Sequence, residues 1–255
     1  MKYVRFEAKS GIKYGVLDGK NIRIIEGSIF SSEYSITDKK IALDEAKLLA
    51  PCEPGQVICV GLNYKDHADE VGFTLPEKPL IFLKSSKSLN HPDGMIKYPS
   101  ETNQIEFEGE LAVVIKKEAK NISAADAYDY ILGYTCANDI TARDIQRSES
   151  QWMRSKSYDT FMPLGPCIST DIDPNSVRIR SYLNGEKKQD SSTAMFIHNV
   201  PTIVEFVSRV ITLCPGDVIL TGSPQGTSPM QVGDRIKIEI EGIGELSNLV
   251  VADEK

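Results

Sequence analysis

The stretch Glu106 to Val114, EFEGELAVV, sets three carboxylates into a run that otherwise reads as a buried β-strand. Side chains alternate between faces along a strand. Glu106, Glu108 and Glu110 would therefore share one face with Ala112 and Val114, while Phe107, Leu111 and Val113 take the other. The continuation into LAVVI predicts a strand covered on both sides, where carboxylates must meet a counter-charge or take up protons. An E-x-E pair alone more often marks a solvent-facing edge, but the apolar continuation argues against that here. No arginine or lysine lies within the strand, so a divalent cation is the expected partner of Glu108 and Glu110. The best candidate for a third ligand is Asp139, which ends the β-like run YTCANDI before the polar TARD. Carboxylates at strand ends face pockets more often than cores. An all-oxygen donor set without a Cys or His cluster calls for a hard metal, Mg2+ or Mn2+, with Ca2+ as a further candidate.

Composition narrows the partners. The formal charge is −7 and no basic cluster stands against it, which argues against nucleic acid and anionic membrane surfaces. The five cysteines, at 52, 59, 136, 167 and 214, are scattered and never form a CxxC pair, so neither a disulfide framework nor a thiolate zinc site is expected. MKYVRFEAKSG lacks the apolar core of a signal peptide, and no apolar run approaches the ~18 residues of a membrane span. The expected compartment is a reducing cytoplasm.

Punctuation divides the chain softly near residue 52. Before it, KYVRFE, IKYGVL and NIRII read as short strands, with Asp18-Gly19 as a tight turn, and IALDEAKLLAP has some helical spacing before Pro51. This predicts a small β domain over 1–52 and a main domain over 53–255. In the main domain, QVICVG and PLIFLK look like strands covered on both faces. The segment between them, LNYKDHADEVGF, is short and helix-compatible. SAADAYDYILG reads as a helix capped by Ser123, with Asp126 at the capping-box position and Gly133 after its end. VRIRSYLNGEKKQ carries the hairpin signal Asn184-Gly185. PTIVEFVSRVI places Pro201 at a first helical position, with Val204, Val207 and Ile211 on one stripe. Strands do not alternate regularly with helices, so the expected class is α+β, a β-rich mixed-sheet roll.

Six segments, GLNYKDHADE, PLIFLKS, FEGELAVVI, NDITARD, KSYDTFMPLGP and VILTGSPQG, occur in this order between about Val57 and Gly242. Together they resemble the fumarylacetoacetate hydrolase family, in its shorter acylpyruvate-hydrolase-like branch. The resemblance implies a β-rich α+β roll, a homodimer, and Mg2+ or Mn2+ bound by Glu108, Glu110 and Asp139. It implies small 2-oxo acid substrates, often with a second carbonyl. It also implies a His67/Glu70 dyad on a segment, 62–75, that orders over the site; at i and i+3 the pair could deprotonate one water. Arg143 and Gln146 would hold the substrate carboxylate, Lys156 would stabilise developing negative charge, and Thr221 would touch the ligand. Outside the motif, His67 and Glu70 would read as a surface ion pair, Arg143 as a salt bridge, Lys156 as a solvated lysine and Thr221 as turn chemistry. Glu106 is not a ligand position in the family. Relatives commonly have TGTPxGVG where this chain has TGSPQGTSP, so Ser223 and Thr227-Ser228 depart from the pattern at the distal end of the pocket.

Three functions are weighed. The first is hydrolysis of a C–C bond in an acylpyruvate through a metal-held enolate. The second is decarboxylation of oxaloacetate, or an isomerase, hydratase or dehydratase reaction on a small 2-oxo acid, at the same site. The third is an acid- or metal-binding protein without turnover, against which the retained His67, Glu70 and Lys156 count.

Overall fold

A computed structural model describes residues 1–9, 11–31, 33–72 and 74–253. Its largest sheet has twelve strands of described residues, and the strand Gly109–Ile115 lies inside it. That strand pairs antiparallel with Ile131–Asn138 on one side and with Val218–Leu220 on the other. Val218–Leu220 in turn runs parallel to Val57–Gly61, whose other neighbour, Leu80–Lys84, closes the edge. As the sequence predicts, Gly109–Ile115 is buried throughout and its faces divide. Leu111, Val113 and Ile115 enter one core with Val60, Ile203, Val204 and Val207. Ala112 and Val114 enter a second core with Cys59, Ala137 and Leu220. Such an interior position is what its near-continuous apolar run requires.

The acidic stretch is not one strand, however. Ile105–Glu106 pairs with Thr141–Ala142 and Pro229–Met230 in a separate three-stranded sheet, and Phe107 and Glu108 bridge the two sheets. Phe107 is fully buried in a third core with Ile105, Ile140 and Phe161. The break leaves Glu108 at a corner, where its amide donates to Asn138 Oδ1 (3.0 Å) and its carbonyl accepts from the Asp139 amide (2.9 Å).

The first fifty residues extend the main sheet. Lys2–Ala8 pairs with Met162–Ser169, and Gly11–Asp18, Asn21–Glu26 and Ser35–Ala42 continue outward as hairpin strands. The helical reading of IALDEAKLLAP is corrected. The chain finishes one strand at Ala42, makes a 3-10 turn at Leu43–Glu45, and pairs Lys47–Leu49 with Lys2–Ala8. Pro51 leaves too few residues for a stable helix, and the free edge of a strand is available. The reading of 123–133 as a capped α-helix is also corrected. Ala124–Tyr130 is a 3-10 helix, and the Ser123 hydroxyl bonds the Asp126 carboxylate (2.6 Å) instead of a backbone amide. Only Ala127 is buried in it, so no apolar stripe holds a longer helix, and Ile131 and Leu132 join the next strand.

Local signals elsewhere act as read. Asn184 and Gly185 both have positive φ (52° and 84°), the twist a two-residue hairpin between Arg178–Leu183 and Glu186–Ser192 requires. In the helix Val200–Val210, Asn199 caps the Thr202 amide (3.0 Å), and Val200, Ile203, Val204 and Val207 are buried. Ile211 lies one residue past the last turn. PLIFLK, by contrast, is not covered on both faces: Leu80 and Leu83 are 47% and 50% exposed on the edge strand. Among the described residues, no helix is long and apolar enough to cross a membrane.

Gly109 explains why a residue without a side chain separates Glu108 from Glu110. A Cβ there would lie 2.5 Å from Ser181 Oγ and 3.0 Å from Gln189 Oε1, the latter also accepting from the Gly109 amide (3.1 Å). Gly109→Ala is expected to destabilise the fold by about 1–3 kcal/mol through overpacking, read as a lower urea midpoint at unchanged slope.

Candidate active site

Glu108, Glu110 and Asp139 come together as the sequence predicts. Each offers a carboxylate oxygen within 4.8 Å of the others. Glu110 projects from the buried strand opposite Ala137, and Asp139 follows the end of the paired strand. The counter-charges come from other elements. Lys156 Nζ donates to Glu108 Oε2 and Asp139 Oδ2, both at 2.7 Å. Lys84 Nζ donates to the other Asp139 oxygen (2.6 Å) and to the Ile140 carbonyl (3.1 Å). The Arg143 guanidinium bonds Glu106 Oε2 through Nε (2.8 Å) and Glu108 Oε1 through one terminal nitrogen (2.6 Å). Its other terminal nitrogen donates to Gln146 Oε1 (2.6 Å).

Four carboxylates thus face three cations, and the shortfall falls on Glu110. The Gly222 amide donates to Glu110 Oε2 at 2.6 Å. Burial and the neighbouring charges of Asp139 and Glu108 push the Glu110 pKa well above the ordinary value. Burial would also raise Glu108, but Lys156 and Arg143 outweigh it and hold Glu108 far below the usual carboxylate range. Burial disfavours the charged form of Lys156, yet Asp139 and Glu108 raise its pKa above the ordinary value. For Lys84, burial wins over Asp139 and its pKa falls. A divalent cation fits this donor set: it would supply the charge that Glu110 lacks, held by Glu108, Glu110 and Asp139.

A cavity of about 320 Å³ opens over the triad. Besides the three carboxylates it is lined by His67, Arg143, Gln146 and Lys156, all expected from the sequence, by Ser223 of the departing loop, and by Phe82 and Trp152. His67 Nδ1 lies 2.9 Å from Glu70 Oε2 on the helix Lys65–Val71. The second Glu70 oxygen accepts from the Gly226 amide (3.3 Å), and Asp66 accepts from the Ser191 hydroxyl (2.6 Å), so the helix is tied to the loop after Gly222 and to the strand Glu186–Ser192. In the segment 62–75, Phe73 lies outside the described residues.

Thr221 is buried and its hydroxyl donates to the Leu111 carbonyl (2.8 Å), which anchors the loop and leaves the Gly222 amide to meet Glu110. Arg143 lines the cavity, but its fork is already engaged by Glu106, Glu108 and Gln146. Glu106 stays outside the triad and acts on Arg143. Lys84 was missed; a lysine ending an apolar run, as in PLIFLK, is the signal that could have found it. Ser223 is held by Gln189 Nε2 (2.9 Å), so one departure from the TGTP pattern faces the cavity itself.

A β-rich mixed-sheet frame holds three convergent carboxylates that could bind a metal ion beside a His–Glu pair, and comparison with known proteins gives the class. Residues 56–251 match the fumarylacetoacetate (FAA) hydrolase C-terminal family, and residues 1–51 match an N-terminal family described as Rv2993c-like. The chain belongs to the fumarylacetoacetate hydrolase family. It is 40% identical to oxaloacetate tautomerase fahd2, mitochondrial, of Xenopus laevis, over 80% of this chain and 68% of that protein. The structure of 5-carboxymethyl-2-hydroxymuconate delta-isomerase from Mycobacterium smegmatis matches with a TM-score of 0.93 and 41% identity, covering 99% of this chain and all of that one. Maleylpyruvate hydrolase from Sphingobium sp. SYK-6, solved with manganese(II) and pyruvate, matches with a TM-score of 0.82 and 26% identity over the full length of both chains.

Two outcomes are expected. Mn2+ at about 100 times its Kd should stabilise the protein by roughly 2.7 kcal/mol, and Glu110→Gln should remove that gain in a thermal-shift titration. Lys84→Met should cost about 3 kcal/mol in chemical unfolding, because it strips one ammonium from a buried carboxylate.

Proposed function

We propose that the chain is a divalent-metal-dependent hydrolase that cleaves a C–C bond in acylpyruvate-type 2-oxo acids. The observation that carries this reading is the His67–Glu70 pair at the mouth of a cavity floored by carboxylates. With Nδ1–H donated to Glu70, the imidazole keeps Nε2 free as a base for water. The metal, when bound by Glu108, Glu110 and Asp139, supplies Lewis acidity toward the 2-oxo acid head.

The chain's own residues supply the rest. Arg143 and Gln146 orient the substrate carboxylate by exchanging one of their present hydrogen bonds for it. His67 takes a proton from water as the water oxygen bonds the distal carbonyl carbon. The bond between that carbon and the CH2 then breaks, and its electron pair leaves with the pyruvate fragment as an enolate. Lys156, fully charged between Glu108 and Asp139, stabilises that negative charge. A proton returns to the CH2 carbon, so the products are one carboxylate and pyruvate.

Oxaloacetate chemistry, whether decarboxylation or tautomerisation, is the second reading. It is supported by the similarity to the Xenopus tautomerase and by the fact that it needs Lys156 but no nucleophilic water. The same separation provides the test. Glu70→Ala is expected to lower kcat/KM for acetylpyruvate by about 10²–10⁴-fold while the Mn2+ Kd measured by calorimetry stays the same. Undiminished hydrolysis would remove the dyad from the mechanism. Pyruvate release from oxaloacetate that survives His67→Gln, in a protein inactive on every acylpyruvate, would favour the decarboxylation form of the second reading, and keto–enol interconversion of oxaloacetate without pyruvate release would favour the tautomerisation form.

A further inference from the structure

The cavity has a second, chemically different region that the reaction above does not use. From Lys156 Nζ the Phe82 ring centroid lies 5.3 Å away, and the Trp152 ring follows edge-on at 5.2 Å from Phe82. Trp152 and Leu80 then rest on the bare backbone of Gly61. A Cβ at Gly61 would lie 3.1 Å from Trp152 Cζ3 and 3.4 Å from Leu80 Cδ2. The wall is built into the catalytic frame, since the Trp152 carbonyl accepts from the Lys156 amide at 3.1 Å across the turn Met153–Lys156.

The charges of the cavity are already committed. Lys156 is shared between Glu108 and Asp139, Arg143 among Glu106, Glu108 and Gln146, and His67 is bonded to Glu70. Among the described residues lining the cavity, none offers an unengaged cation near Leu80, Phe82 and Trp152. A second carboxylate on the substrate would be moved from water against apolar carbon without a partner, which is strongly unfavourable. An alkyl or aryl group there would be gathered by the rings.

We propose that this wall selects 2-oxo acids whose far end is an uncharged, apolar acyl group, with Trp152 as the specificity-determining residue. The proposal rests on the reading of the site as one for 2-oxo acids, and the test separates the two. Binding to the Mg2+-saturated protein is measured by calorimetry for 2-oxohexanoate and 2-oxoglutarate, which share the 2-oxo acid head and differ in the charge of the far end. The expected result is a Kd for 2-oxohexanoate at least ~10-fold lower, the lower end of what a hydrophobic pocket discriminates per methylene. Trp152→Ala should shrink that ratio to about twofold or less. Leu80→Lys, at a half-exposed position that tolerates a lysine, should move the preference toward 2-oxoglutarate. Equal or tighter binding of 2-oxoglutarate by the unmodified protein would overturn the apolar wall alone. Binding of neither acid would overturn it together with the 2-oxo acid reading. A preference unmoved in both variants would remove Trp152 and Leu80 from specificity.

Discussion

The bridge made by the Lys156 ammonium between Glu108 and Asp139 is the contact on which the site depends. Those two carboxylates come from different places in the fold, one at a corner between two sheets and one past the end of a neighbouring strand. Nothing apolar could hold them a few ångströms apart, because like charges in a poorly solvated interior repel strongly. Lys156 makes the arrangement stable, Lys84 completes the coordination of Asp139, and Arg143 does the same for Glu108. Glu110, left without a cation, gives the cluster its residual demand for positive charge.

The fold serves that cluster in a direct way. Burial of Gly109–Ile115 on both faces makes Glu110 rigid. The interruption at Phe107–Glu108 turns Glu108 out of the ladder and lets it reach both Lys156 and Arg143. A continuous strand could have aligned the carboxylates, but it would have kept Glu108 in register with the sheet. The corner is therefore what lets Glu108 meet Lys156 and Arg143 while Glu110, two residues further on, meets the Gly222 amide instead of a cation.

The period-2 pattern made the buried strand and its divided faces readable, and the family motifs singled out Glu108, Glu110 and Asp139. Asn184-Gly185 and the stripe of Val200–Val210 were readable for the same reason: their signals are local. What escaped was decided by distant pairing. The sequence around Leu43 cannot announce that the edge of Lys2–Ala8 awaits a partner. PLIFLK does not reveal that its strand is last in the sheet. Lys84 could not be assigned to Asp139, 55 residues away, from a pattern of neighbours, and Arg143 gave no sign that its fork would already be engaged by Glu106 and Gln146. Sequence alternation reports faces; it does not report who sits across them.

The Glu70 carboxylate serves two neighbours, one oxygen on the His67 imidazole and the other on the Gly226 amide. The orientation of the imidazole and the docking of the 222–228 loop are thereby interlocked through one side chain. Glutamine at this position has a single carbonyl acceptor to divide between the same two donors, so it could keep the imidazole or the loop but not both in their present form. The His67 imidazole and the loop after Gly222 are consequently one mechanical unit, and the residue beside the imidazole is also a latch.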